Sequence, residues 1–209
     1  MDDRDRWTDI ILQFLEVALH EFLYVWKVYP EDAFELRSMY RLPVHMCRHP
    51  QLSDYLFSIL IGCRQWIQTG HLKCLSVHLL SHGNTVLRVM HFESNWIHSS
   101  SQSKEDDQIL VHLEDEFRAT LIAIAATAHS CPLDDTEGSV HTFRVLAETA
   151  ENNEPKIDIQ NIKSAWILAD SFLQKQVESN EKREIVPVRS IGSASIPLRM
   201  ELYMESSKC

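Results

Sequence analysis

The chain has 209 residues, and its hydrophobic fraction of 44% is enough for the core of one domain or of one domain with an extended appendage. Acidic residues outnumber basic ones by 30 to 20, and the net charge of −10 argues against direct nucleic-acid binding, since phosphate contacts need clustered Lys and Arg. No apolar run approaches the roughly 20 residues that span a bilayer, so we expect no membrane partner.

The first predicted element is a helix over residues 7–29, where apolar side chains recur at steps of three and four residues until Pro30 ends the pattern. Its apolar surface is broad, which is typical of a helix buried across a sheet. The stretch 31–49 is predicted to be irregular. Within it, 42–46 could form only an edge strand, because Pro43 cannot donate a hydrogen bond to a sheet.

A second helix is predicted over 51–69, and Gly70 suits the residue just past its end. Residues 72–80 then alternate between apolar and polar side chains, as in a strand. The polar triplet at 82–84 favours a turn, so 85–92 is predicted to return as the second strand of a β-hairpin.

The second half of the chain begins with a Ser-rich, charged stretch at 99–107, which is predicted to be a surface loop. A third helix follows over 107–129, where apolar residues again recur at helical spacing until Cys131 and Pro132. Residues 141–149 are predicted to form a strand.

The C-terminal region contains strand-like runs at 166–170, 185–190 and 196–205, and a polar stretch from 174 to 184 separates the first run from the other two. A strand, a long loop and a returning pair of strands can wrap around a partner. The whole order predicts an α+β fold, with three helices on one face of a mainly antiparallel sheet.

Catalytic motifs are absent from the sequence: the five glycines form no phosphate-binding loop, and neither GxSxG nor HExxH occurs. A metal-dependent enzyme remains as an alternative because of one group of residues, Cys47, His49, Cys63, His71 and Cys74. Their spacings only approach those of structural zinc sites, so small buried cysteines and surface histidines are the simpler interpretation. Five cysteines without a CxxC pair indicate a reduced compartment, the cytosol or the nucleus.

Other candidate catalytic groups have simpler structural interpretations. Asp134, Asp135 and Glu137 follow a helix and suit a solvated loop. His20 lies beside an apolar helix face and is expected to be a hydrogen-bonded core histidine rather than a base. Asp170 suits a turn at a strand end.

Several ordered segments carry a resemblance that covers nearly the whole chain: residues 14–20, 23–25 and 28–30, Tyr40, Pro43 and Val44, the pattern His49-Pro50-x-Leu52-x-x-Tyr55, residues 166–170 and the pattern Met200-x-Leu202-Tyr203. With these segments the chain resembles the HORMA-domain family. It is most similar to the mitotic-arrest-deficient-like B branch, the non-catalytic accessory subunit of DNA polymerase zeta.

The resemblance implies a single HORMA domain over residues 1–209, with a core at about 1–150 and a mobile C-terminal "safety belt" at about 151–209. In the family, the belt closes over a short, often Pro-rich peptide, which adds to the sheet as an extended strand. The resemblance implies that Tyr55, Trp166 and Leu168 line this peptide channel. It also implies no catalytic residues, no cofactor and no metal.

The resemblance further implies a second partner surface on the C-terminal strands, formed by Ile185, Glu201 and Tyr203, for the C-terminal domain of the Y-family scaffold polymerase. Tyr203 matches the branch, whereas Ile185 replaces a leucine and Glu201 replaces the glutamine of vertebrate members. Arg118 aligns with the central arginine of the family's HORMA–HORMA dimer. An arginine on a helix face can also be simply solvent-exposed.

The expected function is therefore that of an adaptor in translesion DNA synthesis. It would clamp a Pro-rich peptide of the polymerase zeta catalytic subunit and bridge it to the scaffold polymerase, in the nucleus and also in the cytoplasm. One alternative within the same family is a spindle-checkpoint protein that binds mitotic or anaphase-promoting-complex partners.

Overall fold

The computed structural model describes residues 3–96, 106–133, 141–150, 166, 183–192 and 198–206. The helices are α1 (Asp3–Val25), α2 (Pro50–Thr69) and α3 (Asp106–Ser130), and a short 3₁₀ turn spans Glu31–Ala33. The strands are β1 (Phe34–Met39), β2 (Leu42–Cys47), β3 (Leu72–Leu80), β4 (Val86–Trp96), β5 (Thr142–Thr149), β6 (Glu184–Ile191) and β7 (Leu198–Ser206). No helix in the described ranges is long and apolar enough to cross a membrane.

Five of the strands form one antiparallel sheet in the order β5-β3-β4-β7-β6, while β1 and β2 form a separate hairpin. The C-terminal hairpin β6–β7 therefore joins the sheet beside β4, and β5 lies at the opposite edge. Three helices and a mainly antiparallel sheet confirm the predicted α+β class.

The helices cover one face of the sheet. Leu75 and Phe92 project from this face toward Ile11 of α1 and Ile67 of α2, and together they surround a small apolar cavity. Alternate residues of each strand point to this face, since side chains along a strand alternate between the two sides. The buried members of β7 follow this alternation as Met200, Leu202 and Met204.

The predicted helices and sheet strands are confirmed, with changes at their ends. α1 begins four residues earlier than predicted and ends at Val25, because Lys27 adopts a positive φ of 51° before Pro30 is reached. Gly70 follows α2 in the left-handed conformation, at φ 71°, as expected for a glycine at this position. Of the run 166–170 the structure describes only Trp166, which belongs to no strand.

The edge strand at 42–46 is confirmed as part of β2. The prediction that the rest of 31–49 is irregular is wrong, because β1 pairs with β2 along its full length as a hairpin. Its turn is made by Tyr40 and Arg41, which have φ of 52° and 57°. Positive φ at both central positions defines a type I′ turn, which usually carries Asn and Gly. Tertiary contacts hold this unusual pair in place: the Tyr40 ring packs edge-on against Phe117, and Arg41 bonds Asp115 at 2.7 Å.

The other edge of β2 is held by polar side chains of α1. Glu21 accepts a hydrogen bond from the backbone N–H of His45 at 2.9 Å, and Nδ1 of His20 accepts one from the backbone N–H of Cys47 at 3.2 Å. These bonds satisfy amides that would otherwise be buried without partners. The expectation that His20 is a hydrogen-bonded core histidine is confirmed, since it is 1% exposed.

Burial makes the fold sensitive to acid through His20. Burial, aided by the charge of Arg37, lowers the pKa of His20 to about 4 from an ordinary value near 6.5. The unfolded chain therefore takes up a proton below pH 6.5 that the folded chain accepts only near pH 4. The free energy of unfolding should fall by about 3 kcal/mol across this window.

Urea denaturation measured at several values between pH 7 and pH 4.5 checks this expectation. His20→Asn is the matched control, because the amide oxygen can still accept the bond from Cys47 but does not titrate. The variant should lose stability less steeply with falling pH. Equal slopes in both proteins would rule out His20 as the source.

Candidate peptide-binding edge

In the described part of the chain, β5 is an edge strand of the five-stranded sheet. Among the described residues β5 pairs only with β3, from Leu80↔Thr142 to Leu72↔Thr149. The pairing is extended by a hydrogen bond from Ala150 N–H to the His71 carbonyl at 3.0 Å. An unpaired strand edge presents backbone donors and acceptors that an extended peptide can use.

Aromatic side chains line this edge on the helix side. Phe143 of β5 packs edge-on against Tyr55 of α2, with ring centroids 6.0 Å apart, and against Tyr29 at 6.3 Å. Tyr55 keeps 45% of its surface exposed and Tyr29 keeps 37%. We call Tyr29, Tyr55, Phe143 and the outer side of β5 the α2–β5 edge. Its exposed rings suit a proline-rich or apolar segment.

Trp166 lies further along the same face of α2. Its indole N–H donates a hydrogen bond to the backbone carbonyl of Ile59 at 3.0 Å. Its ring lies against Gly62, and its centroid is 5.7 Å from that of Trp66. Trp166 is 107 positions away from Ile59 in the sequence. One hydrogen bond and several apolar contacts therefore hold it on α2.

The α2 residues concerned follow one line along the helix. Tyr55, Ile59, Gly62 and Trp66 are spaced by four, three and four residues, which places them on the same face. At a rise of about 1.5 Å per residue, Tyr55 and Gly62 are about 10 Å apart along the axis. Tyr55 and the Trp166 contact thus mark two points along one face of α2.

The chain between β5 and β6 must pass from one edge of the sheet to the other. β5 ends at Thr149, β6 begins at Glu184, and three strands lie between them in the sheet order. Neighbouring strands are about 4.8 Å apart, so the connection spans about 19 Å across the sheet. Trp166 belongs to this connection, and it lies on the side of the sheet that the helices cover.

The tyrosine hydroxyls of the edge and the Cys63 thiol of α2 are uncharged at ordinary pH. Burial raises the pKa of Tyr55 above its usual value. Burial also raises the pKa of the Cys63 thiol to about 12, with the nearby Trp166 indole acting against that shift. Uncharged rings, hydroxyls and backbone groups of an edge strand can hold an extended peptide.

The three residues of the predicted second surface share the sheet face that points away from the helices. Cross-strand partners lie on the same side, and the register pairs Ile185 with Glu205, Tyr203 with Pro187 and Glu201 with Ser190. Ile185 is 63% exposed, and Glu201 accepts a hydrogen bond from the Ser190 hydroxyl.

Tyr203 of that face stacks on His91, with centroids 4.6 Å apart. Burial raises the pKa of Tyr203 to about 12, and nearby acidic groups, Glu93 and Glu205 among them, act in the same direction. The phenol therefore stays protonated and is able to donate a hydrogen bond to a partner.

Arg118 lies on a partly apolar stripe of α3. Val111, Asp115, Arg118 and Ile122 follow helical spacing, and the two aliphatic members are 53% and 52% exposed. Arg118 forms an ion pair with Asp115 at 2.9 Å, and Arg41 forms a second ion pair with the same carboxylate at 2.7 Å. The stripe is thus an ordered, half-apolar surface.

In the described part of the chain, no group of three His, Cys, Asp or Glu residues is placed to hold a metal ion. The structure therefore gives no support there to the alternative of a metal-dependent enzyme. The five residues of that hypothesis, Cys47, His49, Cys63, His71 and Cys74, are all described. The remaining candidates, Asp134, Asp135, Glu137, Leu168 and Asp170, lie outside the described residues.

Four residues of the candidate site were not predicted from the sequence: Tyr29 and Phe143 of the edge, and Gly62 and Trp66, which contact Trp166. Gly62 carried a usable signal, since a glycine in the middle of a predicted helix weakens it and calls for a packing reason. The other three had none, because their neighbours across the groove come from distant parts of the chain.

The chain is similar to curated proteins over nearly its full length. It is 31% identical over 199 residues to the Homo sapiens protein named mitotic spindle assembly checkpoint protein MAD2B, covering 94% of this chain and 89% of that one. It is 27% identical to the Arabidopsis thaliana DNA polymerase zeta processivity subunit, covering 93% and 83% of the two chains. No protein-family model matches the chain.

Solved structures with the same fold include a chain of the mitotic checkpoint complex, with a TM-score of 0.73 at 18% identity over 95% of this chain and 97% of that one. Another is C. elegans HTP-2 bound to the HIM-3 closure motif, with a TM-score of 0.71 at 11% identity over 100% and 93% of the two chains. At these identities the likeness shows the shared fold.

Proposed function

We propose that this chain, which belongs to the HORMA-domain family in the branch of MAD2B and the DNA polymerase zeta processivity subunits, is an adaptor of DNA polymerase zeta. We propose that the adaptor is non-catalytic. It captures a short Pro-rich peptide of the catalytic subunit at the α2–β5 edge. Residues at about 151–209 act as the belt and close over the peptide, and the core spans about 1–150. It acts in the nucleus, with a cytoplasmic pool, in DNA damage tolerance.

The β5 edge, which pairs only on its β3 side among the described residues, is the observation that carries this proposal. It offers backbone hydrogen bonds for an added strand, and the exposed rings of Tyr55 and Tyr29 stand beside it. The fixed position of Trp166 on α2 supports a belt that passes over the same groove. A peptide held beneath such a crossing leaves slowly, so its affinity comes mainly from a low dissociation rate.

Two further contacts belong to the proposal. The face formed by Ile185, Glu201 and Tyr203 receives the C-terminal domain of the Y-family scaffold polymerase. The α3 stripe around Arg118 pairs with a second HORMA domain. Both surfaces combine exposed aliphatic groups with ordered polar ones, a composition that suits protein interfaces.

Substitution of Ile185 tests the second surface. Ile185→Ala should weaken binding of the scaffold polymerase's C-terminal domain about tenfold, because roughly 1.4 kcal/mol of apolar burial is lost on binding. Leu36→Ala is the matched control: Leu36 is equally exposed, at 65%, but lies on the separate β1–β2 hairpin. Calorimetric titration measures both, and equal affinities for the two variants would refute the assignment.

Identification of the native partner tests the main proposal. Affinity purification of the tagged full chain, followed by mass spectrometry, should recover the polymerase zeta catalytic subunit as the main stoichiometric partner. Recovery of mitotic or anaphase-promoting-complex proteins in its place would favour a checkpoint role, in keeping with the name of the human relative. That result would overturn the polymerase assignment.

A further inference from the structure

Gly62 occupies an unusual place in the structure. It lies in the interior of α2, which spans Pro50–Thr69, and its φ is not positive. A Cβ atom added there would lie 2.5 Å from Cδ1 and 2.7 Å from Nε1 of Trp166. Real Cβ atoms do not approach other heavy atoms this closely, so any other residue would force the indole or the helix to move.

The helix itself gives no reason for a glycine at this position. Glycine weakens a helix interior relative to alanine because it loses more backbone freedom on folding. The three heavy atoms nearest to a side chain added here all belong to Trp166. The missing side chain is therefore explained by the close approach of the indole to the backbone of α2.

We propose that Gly62 is the positioning residue for Trp166: its bare backbone forms the notch in which the indole lies, and this fixes the chain beside the peptide site. The inference deepens the proposed peptide capture and rests on it for its functional meaning. The packing role of Gly62 stands on the contacts alone.

The hydrogen bond of Trp166 depends on the same close approach. Its N–H reaches the Ile59 carbonyl at 3.0 Å, one turn before Gly62 on the same helix face. A side chain at position 62 would push Nε1 outward and break this bond, and it would also move the ring away from Trp66.

The position of Gly62 on α2 links the Trp166 contact to peptide capture. Tyr55 lies two turns before Gly62 on the same face, so the indole and the tyrosine bound one groove. With Trp166 fixed, the connection from β5 to β6 is held at one point before a peptide arrives. Such preorganisation reduces the entropy lost on binding.

Gly62→Ala tests the proposal through the sign of its effect on stability. In the wild-type background, the variant should lower the urea midpoint, because the indole is displaced. In a Trp166→Ala background the clash is absent, and the same substitution should raise the midpoint because alanine is the better helix former. A midpoint raised in both backgrounds, or lowered in both, would overturn the proposal.

Fluorine NMR follows Trp166 directly. After incorporation of 5-fluorotryptophan, the Trp166 resonance is assigned by its loss in Trp166→Phe. Gly62→Ala should move this resonance toward the position of a solvent-exposed tryptophan, whereas Gln65→Ala, an exposed site on the same helix, should leave it unchanged. An unmoved resonance in Gly62→Ala would contradict the proposal.

Peptide capture is measured separately, so that the two hypotheses can fail independently. With a Pro-rich fragment of the polymerase zeta catalytic subunit as the probe, Gly62→Ala should raise Kd about tenfold through lost preorganisation. An unchanged Kd with a displaced indole would overturn the link between the notch and capture. If the wild type itself does not bind, the proposed function fails, while the stability and fluorine experiments still decide the packing role of Gly62.

Discussion

The double variant Tyr55→Ala/Trp166→Ala should lose peptide capture almost completely while remaining folded. Both rings lie on the face of α2 where we propose that the peptide binds, and Tyr55 is 45% exposed. Aromatic anchors at the centre of an interface contribute about 2 kcal/mol or more each, so the two losses correspond to about a 1000-fold higher Kd. Surface plasmon resonance with an immobilised catalytic-subunit peptide measures this change.

Phe57→Ala is the matched control for that experiment. Phe57 belongs to the same helix and is 55% exposed, but it lies two residues after Tyr55 and so points to a different side of α2. Its removal should leave Kd unchanged. A double variant that still binds with wild-type affinity, or a Phe57 variant that loses binding, would show that the groove has been assigned to the wrong face.

The second large effect is expected in the core. Phe14→Ala should lower the free energy of unfolding by about 3–5 kcal/mol, through lost transfer energy and the cavity left behind. Phe14 is fully buried and stacks on Phe117, with centroids 4.2 Å apart at 11°, which joins α1 to α3. Tyr40 packs against both rings, at 6.5 Å and 5.4 Å, so the loss should also loosen the β1–β2 turn.

Urea denaturation followed by far-ultraviolet circular dichroism measures the loss. Phe57→Ala again serves as the control, because it removes an equal side chain from an exposed site and should change stability by less than about 0.5 kcal/mol. A loss below about 1 kcal/mol in Phe14→Ala would mean that the α1–α3 contact is not a central part of the core.

Hydrophobic periodicity was sufficient to predict the helices and the sheet strands, because their buried faces repeat every three to four residues or every second residue. The edge strand at 42–46 was predicted, but its pairing with β1 was not, since the turn between them is made by Tyr40 and Arg41 rather than by glycine or asparagine. Their positive φ values are held by Phe117 and Asp115 of α3, which no local pattern reveals. Tertiary packing decided the structure there.

The candidate site was predictable only in part. Tyr55 and Trp166 were predicted from the family resemblance, and the structure places both along one face of α2. The contact of Trp166 with Gly62 joins residues more than one hundred positions apart, so spacing could not show it. The open edge of β5 depends on the order of strands in the sheet, which sequence periodicity does not determine.

Amide hydrogen exchange tests the central claim, strand addition at the β5 edge, most directly. Comparison of the protein with and without a bound catalytic-subunit peptide should show exchange in Thr142–Thr149 slowed at least about tenfold, because a new ladder of hydrogen bonds covers its outer edge. The edge strand Phe34–Met39 should exchange at an unchanged rate. Unchanged exchange in β5, with protection confined to β6 and β7, would contradict the account.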